Sequence, residues 1–141
     1  KVIINPAPAQ PLGDSLLDGL YLITPNETEA ELLTGIAVTE MATASQAADY
    51  FLGKGVQQVV ITMGKNGAYF KNAEMEFMTG APAVKAMDTT AAGDTFSGAL
   101  TVAITEGMSW KEAIQFAVNA ASVSVTRMGA QASVPYRSEM N

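Results

Sequence analysis

Asp88-Thr89-Thr90-Ala91-Ala92-Gly93-Asp94-Thr95-Phe96 is the stretch on which the reading of this chain turns. A strand is expected to end near Met87, three small residues (Ala91, Ala92 and Gly93) follow, and a helix begins at about Asp94. From Thr95 to about Glu106, Phe96, Ala99, Leu100, Ala103 and Ile104 recur at helical spacing on one apolar stripe. Residues without bulk at such a junction let a ligand approach the backbone. The first N–H groups of a helix have no partner inside it, and the helix dipole adds positive character there. The position therefore suits an anion such as a transferring phosphoryl group. Asp94 stands beside those donors and could accept a proton from an alcohol. An Asp in the first turn of a helix also serves simply as a cap and dipole partner, and the residues alone leave both roles open.

Outward from this stretch, strands and helices alternate. Val2 to Asn5 reads as a buried strand and Leu20 to Ile23 as a second, stopped by Thr24-Pro25. Asn26 opens a helix that runs to about Thr34, with Gly35 as its stop. Ala47, Ala48, Phe51 and Leu52 mark a helix from about Ser45 to Lys54. Gln58 to Thr62 carries Val59, Val60 and Ile61 in one β-branched run, as in a strand covered on both faces of a parallel sheet. Gly64 and Gly67 punctuate a turn, and 68–71 with 75–78 read as an antiparallel pair. Trp110 to Thr126 is a long helix with Ile114, Ala117, Ala121 and Val125 inward. The alternation predicts an α/β fold with a mainly parallel sheet.

Composition narrows the chemistry. The chain has 141 residues, 48% hydrophobic and 16% charged, enough apolar material for one domain with a true core. Its net charge of −6 speaks against a nucleic-acid face. With no Cys and no His, disulfides, thiolate chemistry, Cys/His zinc sites and imidazole bases are excluded. Acid–base work falls to carboxylate, Lys, Tyr or water. No apolar run approaches the ~18 residues of a membrane span, and the pattern G-x-x-x-x-G-K-[ST] is absent. A cytoplasmic protein is expected. The chain opens directly into an apolar strand without an initiator Met, so the expectation is a sequence entered part-way through a larger protein.

Four segments, in order, resemble the signatures of the ribokinase-like carbohydrate kinases, and the resemblance spans essentially all 141 residues. The stretch 88–96 is similar to the family's second signature, in which the final Asp is the catalytic base and the small residues form the anion hole. By position these are Asp94 and Ala91, Ala92 and Gly93. The family's commonest form has Gly where Ala91 stands, and Ala there points toward the members that phosphorylate ribose. Pro25-Asn26-Glu27-Thr28-Glu29 resembles the Asn-x-x-Glu motif, whose Asn and Glu organise Mg²⁺ and phosphate, largely through waters. Asn26 and Glu29 have equally the spacing of a helix capping box. Thr62-Met63-Gly64-Lys65-Asn66-Gly67 resembles the Thr-x-Gly-x-x-Gly turn along the nucleotide's ribose and phosphates; a generic tight turn would look the same. Ser124 to Ser133 resembles a monovalent-cation loop. The ligands the resemblance implies are Asp88, Thr90, Ser124, Arg127, Gly129 and Ser133, mostly through backbone carbonyls, with K⁺ the expected ion.

One position departs from the pattern. The family usually places Asn or His near the adenine shortly after a Phe-Ala pair. Here Phe116-Ala117 is followed by Val118, with Asn119 next, and one residue on a helix is a rotation of about 100°. Asn119 is the residue the resemblance places nearest the adenine, displaced by one position.

The resemblance implies a three-layer α/β/α sandwich, of which this chain is the C-terminal, nucleotide-binding and catalytic portion. It also implies ATP, Mg²⁺ and K⁺ as cofactors and transfer of the γ-phosphate to the 5-hydroxyl of D-ribose. The family's sugar-binding residues and the lid that makes a homodimer lie mainly in an N-terminal half absent here. The 141 residues alone are therefore expected to be inactive and to expose a sheet edge. A fructokinase, deoxyribokinase or nucleoside kinase, or a non-catalytic nucleotide-binding fragment, are the alternatives.

Overall fold

In the computed structural model, which describes residues 1–140, the chain divides into two compact units. The first comprises residues 1–64 and 68–78; the second comprises 65–67 and the chain from Thr79 onward.

The first unit is built on β1 (Ile3–Ile4), β2 (Leu22–Ile23), β3 (Gln58–Thr62), β4 (Ala68–Asn72) and β5 (Glu76–Thr79), hydrogen-bonded in that order. β1, β2 and β3 are parallel, with Ile4 opposite Ile23 and Ile23 opposite Val59, whereas β4 runs antiparallel to β3, pairing Ile61 with Tyr69. The sheet is thus mixed rather than mainly parallel. The reason is local: the turn between β3 and β4 is too short for the crossover that a parallel neighbour needs. Val59, Val60 and Ile61 are wholly buried, so β3 is covered on both faces as its composition predicts. β1 is the outer strand among the described residues, its two isoleucines are half-buried, and Val2 is 61% exposed.

Three helices belong to this unit: α1 (Asp14–Leu17), α2 (Glu27–Thr34) and α3 (Met41–Gly53). Ala30 of α2 and Ala44, Ala47, Ala48 and Phe51 of α3 form one core with Ile23, Val59, Ile61 and Tyr69. The small alanines let the helices sit close to the β-branched strand face. α2 is bounded as expected, with Asn26 as its cap and Gly35 at φ 75° as its stop. α3 starts four residues earlier than its apolar stripe suggests. The Thr43 hydroxyl accepts the N–H groups of Thr39 and Glu40, which closes an extra turn that apolar periodicity does not register.

The second unit contains α4 (Ala92–Thr105) and α5 (Trp110–Val125), followed by two short 3₁₀ turns, Gln131–Ser133 and Arg137–Glu139. Phe96, Leu100 and Ala103 of α4 and Ala113, Ile114, Ala117 and Val118 of α5 are buried, and the two helices pack on each other. α5 begins with a reciprocal cap: Ser109 Oγ accepts the Glu112 N–H at 3.3 Å, and Glu112 Oε2 accepts the Ser109 N–H at 3.0 Å. Toward its end the inward positions are Ser122 and Ser124 rather than Ala121 and Val125, which are half-buried. Burial of these serines is tolerated because each hydroxyl is satisfied, Ser122 by the Val118 carbonyl at 2.9 Å and Ser124 by Ser133 at 3.1 Å.

Candidate functional site

In the first unit, the ends of β2 and β3 bring three of the expected residues side by side. Thr62 donates its N–H to the Pro25 carbonyl at 3.0 Å and forms an isolated parallel bridge with Asn26. Asn26 Oδ1 accepts the Glu29 N–H at 2.7 Å, and Glu29 Oε2 accepts the Asn26 N–H at 2.8 Å. The capping box is therefore real. It fixes Asn26 and Glu29 at the carboxyl ends of parallel strands, the edge where ligands bind in α/β sheets. Asn26 remains exposed and Glu29 half-buried.

The turn after Thr62 is a 3₁₀ segment, Gly64–Asn66, ending at Gly67. Lys65 and Asn66 are exposed. Gly64 and Gly67 have φ of 55° and 94°, and a Cβ on Gly67 would lie 1.8 Å from the Thr79 carbonyl oxygen. No side chain fits at residue 67, so that glycine is set by close backbone approach as well as by its left-handed conformation.

In the second unit, no strand precedes the 88–96 stretch; residues 80–91 run without regular structure. α4 also starts sooner than its stripe predicts, at Ala92 with Ala91 as its cap residue. Gly93 and Asp94 are thereby drawn into the first turn. The Ala92 N–H is taken by the Thr89 carbonyl at 3.2 Å. The N–H groups of Gly93 and Asp94 have no acceptor among the described residues. These two and the N–H of the cap residue Ala91, which likewise has no acceptor among the described residues, rather than that of Ala92, are the donors left for an anion at the helix start. The Asp94 carboxylate is exposed and makes no hydrogen bond or ion pair among the described residues, and the helix has no side-chain cap. Asp94 thus stands in the first turn, where its charge complements the helix dipole, without a capping hydrogen bond.

Asp88 organises the approach to this helix. Its Oδ1 accepts the Thr90 N–H at 2.9 Å and also the Thr90 hydroxyl, while Oδ2 accepts the Gly129 N–H at 3.0 Å. These donors, the Thr90 hydroxyl foremost and then the two backbone N–H groups, hold its carboxyl below the usual carboxylate range. The Val125 carbonyl accepts the N–H groups of Met87 and Asp88, so the stretch before α4 is tied to the end of α5. Asp88, Thr90 and Gly129 are thus gathered around one carboxylate. Ser124 and Ser133 meet through their hydroxyls, and Ser133 Oγ also donates to the Ala130 carbonyl at 2.6 Å. Arg127 sends its side chain elsewhere, into a forked pair with Glu139 at 2.7 and 3.3 Å.

Val118 is buried, and Asn119 is half-buried with its Oδ1 accepting from Gln115 Nε2 at 2.9 Å. The one-residue displacement thus turns Val118 into the helix packing and gives Asn119 a partner on its own helix. Two features carry no sequence signal. The buried Thr95 hydroxyl has no hydrogen-bond partner among the described residues. The Arg127–Glu139 pair joins residues whose spacing follows no helical or strand period. No cluster of three His, Cys, Asp or Glu residues that could hold a metal occurs among the described residues, and no helix there is long and apolar enough to cross a membrane.

The pfkB family carbohydrate kinase model matches residues 1–137, and the chain belongs to that family. Curated ribokinases are among the proteins it resembles. That of Haemophilus influenzae is 48% identical over 139 residues, covering 99% of this chain and 45% of the relative. That of Staphylococcus aureus is 45% identical over 140 residues, covering 99% of this chain and 46% of the relative. The chain therefore spans about half the length of the curated relatives it matches. Among solved structures, Arabidopsis thaliana ribokinase complexed with ribose and ATP superposes with a TM-score of 0.93 at 36% identity, over 98% of this chain and 45% of that one. Thermotoga maritima ribokinase gives 0.90 at 42% identity, over 98% and 46%. The fold is the ribokinase-like α/β fold.

Proposed function

We propose that this chain is the C-terminal, nucleotide-binding and catalytic portion of an ATP-dependent ribokinase. The observation that carries the reading is the pairing of an unengaged Asp94 carboxylate with the open N–H groups of Gly93 and Asp94 at the start of α4. Asp94 accepts the proton of the 5-hydroxyl of D-ribose as that oxygen bonds to the γ-phosphorus, and the bond to the β,γ-bridging oxygen breaks to release ADP. The two N–H groups stabilise the negative charge on the transferring phosphoryl oxygens. Thr62 and the 64–67 turn lie along the nucleotide, and Asn119 faces the adenine once it gives up its bond to Gln115.

Asn26 and Glu29 fit a water-mediated Mg²⁺ site: each is committed to a backbone N–H through one oxygen, and Glu29 Oε1 remains open to a metal-bound water. A Mg²⁺ ion held there would supply positive charge to offset that of the nucleotide's phosphates. The segment around Asp88, Thr90, Ser124, Arg127, Gly129 and Ser133 offers carbonyl, hydroxyl and carboxylate oxygens and no nitrogen or sulfur ligand. That donor set suits a hard monovalent cation such as K⁺. Cytoplasmic location and dimerisation through the portion of the family outside these residues belong to the same proposal.

The test is ADP formation by the whole protein that carries this sequence, across a panel of ribose, deoxyribose, fructose and nucleosides. Turnover that depends on ribose is expected. Preference for fructose or a nucleoside would move the assignment to another member of the family, and ATP binding without any acceptor-dependent turnover would leave a non-catalytic nucleotide-binding domain. The 141 residues by themselves are expected to bind nucleotide without phosphorylating sugar.

A further inference from the structure

We propose that Glu139, in the last 3₁₀ turn, is a positioning residue for the N-terminus of α4. Its Oε1 accepts Arg127 Nη2 at 2.7 Å, and its Oε2 accepts Arg127 Nη1 at 3.3 Å and the Tyr136 N–H at 2.7 Å. This is a forked guanidinium–carboxylate pair with a third donor on the same carboxylate, a geometry that fixes direction as well as distance. Both side chains are about one-third exposed, at 34% and 37%. The turn that carries Glu139 is itself anchored. Arg137 pairs with Glu106, the residue that ends α4, at 3.3 Å, and its guanidinium lies 4.8 Å from the Phe116 ring centre on α5.

From Glu139 the restraint passes along a continuous set of bonds. Arg127 follows the end of α5, and its N–H is held by the Ser124 carbonyl at 3.1 Å. Two residues on, Gly129, at φ 96°, gives its N–H to Asp88. Asp88 holds Thr90, and the Thr89 carbonyl holds the Ala92 N–H that begins α4. Every link lies within the second unit. Glu139 fixes Arg127, Arg127 fixes the course of the backbone to Gly129, and Gly129 fixes the carboxylate that shapes the turn before Gly93 and Asp94. Without Glu139, the segment 127–131 keeps the Ser133 hydroxyl on the Ala130 carbonyl as its tail-side tether but loses the one that directs Arg127 and the backbone leading to Gly129.

The catalytic consequence rests on the kinase reading above, but the structural consequence does not. The experiment has two arms on Glu139→Ala, Glu139→Gln and Arg127→Lys. The first is amide hydrogen exchange with the melting temperature as control; the second is ribose-dependent turnover. Glu139→Ala is expected to speed exchange about tenfold over 127–131 and over 88–94, beyond the tail itself. It should also lower kcat about tenfold with KM for sugar unchanged, as misplaced transition-state donors would. Glu139→Gln keeps an acceptor for Tyr136 without the charged fork, and Arg127→Lys keeps the charge without the fork, so both should fall between. Faster exchange confined to 136–140, with 88–94 as in wild type, overturns the proposal. If Glu139→Ala melts too early to interpret, the two milder variants decide by the same criterion. Absence of sugar-dependent turnover in the wild type counts against the kinase reading alone, since the exchange arm is read without it.

Discussion

Asp88 Oδ2 accepts the backbone N–H of Gly129 at 3.0 Å across 41 residues of chain, joining the turn before α4 to the loop after α5. Through this bond the candidate phosphoryl-transfer loop and the candidate cation loop become one structure. The carboxylate that the sequence marks as a ligand is already bonded at both oxygens within the protein.

That relationship makes Asp94 the free carboxylate of the pair. Asp94→Ala is expected to lower kcat for ribose phosphorylation by at least about a hundredfold while leaving ATP affinity within about threefold. Steady-state kinetics with a nucleotide titration check both halves. A large loss of ATP affinity with kcat preserved would remove Asp94 from its assigned role.

Gly67 faces the Thr79 carbonyl with no room for a methyl group. Gly67→Ala combines a left-handed conformation with a backbone clash, so it should destabilise by more than about 2 kcal/mol in urea unfolding. Gly64, which has a similar left-handed φ of 55° but open space around it, should tolerate alanine better, at about 1 kcal/mol.

At the start of α5, Ser109→Ala should cost about 1 kcal/mol by loss of the cap. Its partner Glu112 is held below the usual carboxylate range by the Ser109 N–H and then the Ser109 hydroxyl. A carboxylate depressed by folding contributes stability above its unfolded pKa and loses it as pH falls through the folded value. The gap in melting temperature between wild type and Ser109→Ala should therefore narrow below about pH 4. A gap that stays constant from pH 7 to pH 3 would show that the carboxylate takes no part in the cap.

Tyr69 is fully buried with its hydroxyl donating to Glu76, and that burial, followed by the bond to Glu76, pushes the phenol upward. Glu76 also receives the Ser45 hydroxyl at 3.1 Å, and Lys71 bridges Ser45 and Asp49. Tyr69→Phe removes one donor from a carboxylate that keeps others, so the loss in chemical denaturation should be about 1 kcal/mol rather than the larger cost of an orphaned buried group.

What the sequence carries by itself is what lies within one turn or one period. The cap at Asn26, the stop at Gly35 and the run Gln58–Thr62 are each written in residues a few positions apart, and all stand where their patterns place them. The order of the four motifs likewise identifies the family without coordinates. Elements whose limits depend on neighbours are less legible. α3 and α4 both begin before their apolar stripes, because the Thr43 hydroxyl in one and the Thr89 carbonyl in the other close the first turn without an apolar residue to mark it. Only the tertiary structure decides that Asp88 bonds to Gly129, that Arg127 turns to Glu139, and that Asp94 is left with no partner in the second unit. A hydrogen bond between distant segments has no period to leave in a sequence. It exists because the fold has already met the entropy of bringing those segments together.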